Sequence, residues 1–196
     1  KASEPPPYVF ALVMANNAST DKSLDRLQFA DDDAARFYQL ISTIKGAYSE
    51  LLVQFDPPSQ RTYPQLVRRA KAPTKAALQA AMGRIRAKMD AARKSGRRLV
   101  FYFYFAGHGS LDKSRMGHFH LADGLLSRND FFRTVMKASA ADVNHIVIDT
   151  CNAYFLVKQR GKAMSAAELA TAVQSFIAHE SLRHYPNTGI VVSTAG

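Results

Sequence analysis

The sequence holds a single cysteine, Cys151, in 196 residues. One cysteine excludes an internal disulfide and any cysteine framework for a metal. Long apolar runs are also missing. The longest, residues 99–106, suits a buried strand and falls far short of the ~18 residues that would suggest a membrane span. Glycine (10) and proline (8) are sparse, and 47% hydrophobic with 21% charged residues is the composition of an ordinary globular domain. The length is enough for one domain with its own core. No internal repeat and no second domain is legible, so residues 1–196 read as a single unit.

Acidic residues are the scarcer charge, 16 against 26 basic, for a net charge of +10. Such an excess reads either as a solvated basic face or as attraction to nucleic acid or acidic lipid. The clusters Arg68-Arg69-Lys71 and Arg93-Lys94-Arg97-Arg98 carry no interleaved aromatics, so base stacking is not indicated. Nucleic acid is the minor alternative. The chain opens on Lys1, and Glu4-Pro5-Pro6-Pro7 makes residues 1–7 an extended leader. Removal of an export signal would account for both features, which leaves the compartment open between cytoplasm and export.

What is present is an alternation of strand and helix patterns, which predicts an α/β sandwich around a mostly parallel sheet. Strands are expected at 8–15, 51–55, 98–105, 143–149 and 189–193. A helix is expected over 32–44 with Ala34, Phe37, Leu40, Ile41 and Ile44 on one face, and acids at its start favoured by the helix dipole. Residues 59–72 read as a basic loop. Thr74 caps a helix to about residue 94, with Leu78, Met82, Ile85 and Met89 as its buried stripe and Gly96 as its stop. Residues 117–122 suggest a small ribbon, and Ser127 caps a helix to about 137. Ser165 and Glu168 form a capping box for another helix.

In open α/β sheets, function gathers beyond the carboxyl ends of the strands. The third strand runs into Ala106-Gly107-His108-Gly109-Ser110, and the fourth into Asp149-Thr150-Cys151-Asn152. If the two strands are neighbours, His108 and Cys151 face each other. An imidazole in reach of a thiol can take its proton and return it to a leaving amine, which is sufficient for acyl transfer. Gly107 and Gly109 permit a tight turn, and the N–H groups of Gly109 and Cys151 suit an oxyanion hole. The plainer alternatives are a Gly-His-Gly turn and a buried apolar cysteine. His118 and His120 alternate on the ribbon as two potential metal ligands, but a third ligand is not apparent. His145, His179 and His184 carry no pattern.

The strand ending Phe105-Ala106-Gly107-His108-Gly109-Ser110, followed by the strand ending Asp149-Thr150-Cys151, resembles the caspase–metacaspase superfamily. His108 and Cys151 are 43 residues apart, against about 50 in caspases. The resemblance covers most of the chain, with residues 27–34 similar to the first helix start and Thr74 to the second. It implies a Cys-His dyad of Cys151 and His108, an oxyanion hole at Gly109 and Cys151, and an acidic P1 pocket at Asp149 and Asp33. It implies a cysteine endopeptidase cleaving protein or peptide after Arg or Lys through a thioester, as in metacaspases and orthocaspases, activated by processing. Asp149 and Cys151 are two apart on a strand and share a side, and a buried carboxylate suits a guanidinium. The alternatives are a structural carboxylate for Asp149 and a helix-terminus acid for Asp33.

The sequence departs from the family in two respects. Asn152-Ala153-Tyr154 stands where metacaspases usually have His-Ser-Gly. The sixth strand of the family's sheet is not found before Gly196, so a C-terminal fragment of the same precursor is an expected partner. Lys158, Arg160 and Lys162 mark the segment 152–164 as a self-cleavage region. Some metacaspases require calcium; no acidic loop cluster here demands it, and no cofactor is expected. The competing function is a catalytically silent caspase-like module that binds other proteins.

Overall fold

The computed structural model describes residues 5–113, 117–150 and 185–193. Among them, five strands form one parallel sheet: β1 (Tyr8–Asn16), β2 (Tyr48–Val53), β3 (Leu99–Gly107), β7 (Val143–Thr150) and β8 (Thr188–Val192), in the order β2-β1-β3-β7-β8. Three short strands, β4 (Gly109–Leu111), β5 (Gly117–Leu121) and β6 (Gly124–Ser127), form a separate antiparallel sheet. The helices are α1 (Ala30–Ser42), α2 (Pro57–Thr62), α3 (Pro64–Val67), α4 (Lys75–Arg93) and α5 (Arg128–Phe131), the last continued by a π-helical turn, Phe132–Met136.

Side chains alternate across a strand, so a strand buried on both faces feeds two cores. In β1, Phe10, Leu12 and Met14 join Leu78, Met82, Ile85 and Met89 of α4 on one face. Val9, Ala11, Val13 and Ala15 join Ala34, Tyr38 and Ile41 of α1 on the other. β3 divides in the same way, with Phe101, Phe103 and Phe105 toward α4 and Tyr104 and Ala106 toward α1. The result is the expected α/β/α sandwich with a mostly parallel sheet.

The stripe read for α4 is the one buried, and the Thr74 hydroxyl accepts from the Ala77 N–H as its N-cap. The stripe read for α1 is rotated. Ala34, Ala35, Tyr38 and Ile41 are buried, whereas Leu40 is 62% exposed and Ile44 is also exposed. Ala34, Tyr38 and Ile41 follow the i, i+4, i+7 spacing of one helical face; Leu40 falls off its edge, and Ile44 lies beyond the helix, which ends at Ser42 rather than at 44.

Residues 59–72, expected as a loop, include most of α2 and all of α3. Asp56 caps α2 by accepting from the Ser59 N–H at 2.9 Å, and prolines open both helices, where no N–H is missed. The ribbon at 117–122 is the middle strand of the small sheet. The helix after Ser127 exists, but only its first turn is α-helical. The helix begun at Ser165 and Glu168 lies outside the described residues.

The two faces of α1 and α4 give an expected contrast. Met82→Ala opens a void in the core and costs about 2–5 kcal/mol. Leu40→Ala, despite its apolar side chain, stays within about 0.5 kcal/mol of the parent. Urea unfolding of both variants measures the difference.

Candidate active site

The two strands that carry the expected catalytic residues are hydrogen-bonded neighbours. β3 and β7 run parallel in a register that sets Ala106 opposite Asp149 and Gly107 opposite Thr150. His108 follows Gly107 directly in the chain, as Cys151 follows Thr150. Cys151 itself lies outside the described residues, as does the segment 152–164 with Lys158, Arg160 and Lys162.

Gly107 is fixed by crowding. A Cβ there would stand 3.0 Å from the Asn16 carbonyl oxygen and 3.0 Å from Cζ of Phe105. The chain then turns into β4, where Gly109 is buried opposite Phe119. His108, between the two sheets, is 7% exposed. Its Nε2 is buried and has no hydrogen-bond partner among the described residues. The backbone carbonyl of Asp25 in the β1–α1 loop faces the ring as a hydrogen-bond acceptor. With Nε2 unpartnered among the described residues, Nδ1 is the ring nitrogen that this carbonyl would serve. Burial lowers the His108 pKa from the ordinary histidine value, and the Asp25 carbonyl opposes this in part. A neutral ring that directs its Nδ1 proton at that carbonyl keeps a lone pair on Nε2, the form a general base requires.

Beside this rim is a cleft of about 190 Å³, lined by the loop before α1, by Asp33, by Ala106 and Gly107, by Asp149 and Thr150, and by Ser193. Its place follows from side-chain size. Tyr104, one layer below, stacks on Phe37 at 4.5 Å and fills the space under α1. At the next position on that face β3 offers only the methyl of Ala106, opposite Asp149.

Both acids named from the sequence thus line one cleft. Asp33 has its pKa raised by burial and by the like charge of Asp149. Arg36 stands 3.6 Å from it and is largely in solvent. The Ser193 hydroxyl donates to Asp149 Oδ1 at 2.6 Å. Burial and the two carboxylates together raise the Tyr104 phenol well above its usual range.

The other acids of α1 have structural tasks. Asp31 is fully buried and accepts from Asn17 Nδ2 and from the Asp32 and Asp56 N–H groups, while Asp32 accepts from the Ser59 hydroxyl. No group of three metal-binding side chains occurs among the described residues. His118 has Asp112 at 3.8 Å, and His120 is held by two serines.

A family model, the caspase domain of peptidase family C14, matches residues 9–191. The chain belongs to the caspase family. That membership places it in a family of cysteine-type peptidases, for which protein is the implied substrate. No helix among the described residues is long and apolar enough to cross a membrane. The crystal structure of a Geobacter sulfurreducens protein, a structural-genomics target, is similar at 16% identity and a TM-score of 0.48, over 95% of this chain and 72% of that one. No curated protein matches the sequence.

Three contributors to this caspase-family site escaped the sequence reading. The Asp25 carbonyl is a backbone group and has no residue signature. Tyr104 looked like one more core aromatic. Ser193 follows the fifth strand and was findable, because the strand-end rule that selects His108 also selects it.

The pKa directions carry a stability consequence. His108 and His120 are both lowered, chiefly by burial. The folded state then binds protons more weakly than the unfolded chain, whose histidines titrate near 6.5. Their contribution is complete above that value and declines as pH falls from it toward the folded pKa. Asp33, raised, acts in the opposite sense at lower pH. Urea midpoints are expected to fall between pH 8 and pH 5, and to fall less in His120→Gln.

Proposed function

We propose that this caspase-family chain is a cysteine endopeptidase that hydrolyses peptide bonds after Arg or Lys, with Cys151 as nucleophile and His108 as general base. The observation that carries the proposal is the β3–β7 register, which ends the two strands level with each other at Gly107 and Thr150, beside the two-carboxylate cleft.

The chemistry follows from the parts. The Nε2 lone pair of His108 takes the thiol proton of Cys151, and the thiolate adds to the scissile carbonyl. The N–H groups of Gly109 and Cys151 meet the oxyanion. As the tetrahedral adduct collapses, the imidazolium gives its proton to the departing amine and a thioester remains. His108 then deprotonates a water, which displaces the thiol and releases the new carboxyl terminus.

The P1 cation enters the cleft between Asp149 and Asp33. Asp149 raises the cost of ionising Asp33, and a guanidinium between the two carboxylates offsets it. A neutral or acidic P1 side chain would leave the two half-buried carboxylates without a counter-charge, which favours basic substrates. The segment 152–164, with Lys158, Arg160 and Lys162, meets the same requirement and is the proposed site of self-cleavage, with a C-terminal fragment of the same precursor as partner.

Peptides ending in Arg, Lys or Asp before a fluorogenic leaving group test this reading. Turnover after Arg or Lys, abolished in Cys151→Ala and His108→Ala, is expected. Asp149→Asn is expected to lose about 2–5 kcal/mol of transition-state binding for Arg substrates. Preference for Asp overturns the pocket assignment, and no turnover by the chain favours the silent protein-binding module. Equal intact masses of parent and Cys151→Ala protein after incubation overturn self-cleavage.

A further inference from the structure

One buried titratable side chain beside the site has no part in the chemistry above. His120, in β5, is 2% exposed. Both of its ring nitrogens are engaged by hydroxyls from distant parts of the chain. Nδ1 is 2.6 Å from Ser19 Oγ in the β1–α1 loop, and Nε2 is 2.7 Å from Ser110 Oγ in β4. Its main chain is tied as well. The His120 N–H donates to the His108 carbonyl at 3.1 Å, and the His120 carbonyl accepts from Asn16 Nδ2 at 3.2 Å. The two imidazole rings are 5.9 Å apart, centre to centre.

These bonds join three segments: the end of β1, the hairpin that carries His108, and the loop that carries Asp25. Residues 20–26 of that loop are exposed. At its base the Leu27 N–H donates to the Asn17 carbonyl at 2.8 Å. Farther out, the Ser19 hydroxyl accepts from the Asp21 N–H, and Asp21 accepts from Ser23. The Ser19–His120 contact links this outer turn to the sheet. An exposed loop with few apolar contacts opens easily, so a carbonyl presented from it needs such a tether to stay in place.

We infer that His120 is a positioning residue for the general base: through Ser19 it fixes the loop that presents the Asp25 carbonyl to Nδ1 of His108, and through Ser110 and the His108 carbonyl it fixes the turn from which that base projects. The inference rests on the protease reading for its catalytic consequence, though not for its structural one.

The partner chemistry fits the task. A hydroxyl can donate or accept, so two serines hold a neutral imidazole in either tautomer. A carboxylate in their place would draw a proton onto the ring and set a charge beside the base. The groups facing His120 are His108, His118 and Asp21; burial and the two histidines hold its pKa down, and only Asp21 pulls it up. The tether therefore stays uncharged near neutral pH.

The test uses the full chain with 15N-labelled histidine. Long-range 1H–15N spectra report the tautomer of each ring, and His108→Gln assigns the base. Parent protein is expected to show His108 in the Nδ1–H form. Ser19→Ala cuts the loop tether without touching the core, and His120→Leu removes both ring bonds. Both are expected to give a mixed tautomer at His108 and to lower kcat on Arg peptides about 10- to 100-fold, with KM within about twofold. His120→Gln, whose amide can serve both hydroxyls, is expected to recover most of the loss. An unchanged His108 tautomer in Ser19→Ala overturns the inference, as does an activity loss that follows Tm alone across the three variants. If the parent hydrolyses nothing while the tautomer responds as described, the positioning holds and the protease reading falls. If the parent cleaves and the tautomer is indifferent to Ser19 and His120, the protease reading stands and this inference falls.

Discussion

The pairing of β3 with β7 is the constraint on which the rest of the site depends. Parallel strands fix their register through evenly spaced hydrogen bonds, and a slip of one residue would turn every side chain to the opposite face. Phe101, Phe103 and Phe105 cannot turn away from the α4 core without exposing large apolar surfaces, so the register is enforced far from the site. Ala106 beside Asp149 and Gly107 beside Thr150 are consequences of that enforcement. The cleft then exists because the aromatic layer ends at Tyr104 and is followed by a methyl group.

A second constraint works at right angles to the first. Asn16 ends β1 level with Gly107, and its side chain reaches the His120 carbonyl while its own carbonyl crowds Gly107. The small antiparallel sheet is thus fastened to the rim of the large one at the residue before the base. Phe119, Leu121 and Leu126 anchor the same small sheet in the α4 core. His108 is therefore held from both sides by rigid elements, and only its Asp25 partner comes from a loop. That asymmetry explains why so many polar side chains, Asn17, Ser19 and Asp31 among them, are spent on the loop's base.

The sequence made the sheet, the α4 stripe and the strands that lead into His108 and Cys151 legible, because each rests on a periodicity or on strand-end placement. Membership of the caspase family was legible from the ordered motifs around His108 and Cys151. Other features were not. The short helices α2 and α3 depend on Asp56 and on prolines that read equally well as loop punctuation. The α1 face was misjudged because Leu40 and Ile44 look like core residues until the sheet decides which side of the helix is covered. His118 and His120 were legible as an alternating pair, but what His120 binds lies 101 residues away at Ser19. Alternation shows which face a side chain takes and is silent about what the other chain segments bring to it. Of Asp31, Asp32 and Asp33, equal in the sequence, only the third lines the cleft, and the difference is set by Asn17, Asp56 and Ser59.

The charge distribution resolves an apparent conflict between the whole chain and its cleft. A protein of net charge +10 repels a basic peptide at long range. Ionic screening limits that repulsion to about 8 Å at physiological salt. On the proposed pocket assignment the balance is reversed inside the cleft, since Asp149 and Asp33 would meet the P1 side chain at contact distance, where partial burial strengthens each interaction. A cationic P1 side chain is thus, on that assignment, neither drawn in from afar nor selected by the surface; its selection would come only after it has left bulk water. On the proposed reading such a site discriminates by the groups that close around P1, and the basic exterior adds a penalty for cationic peptides that only a good P1 contact offsets.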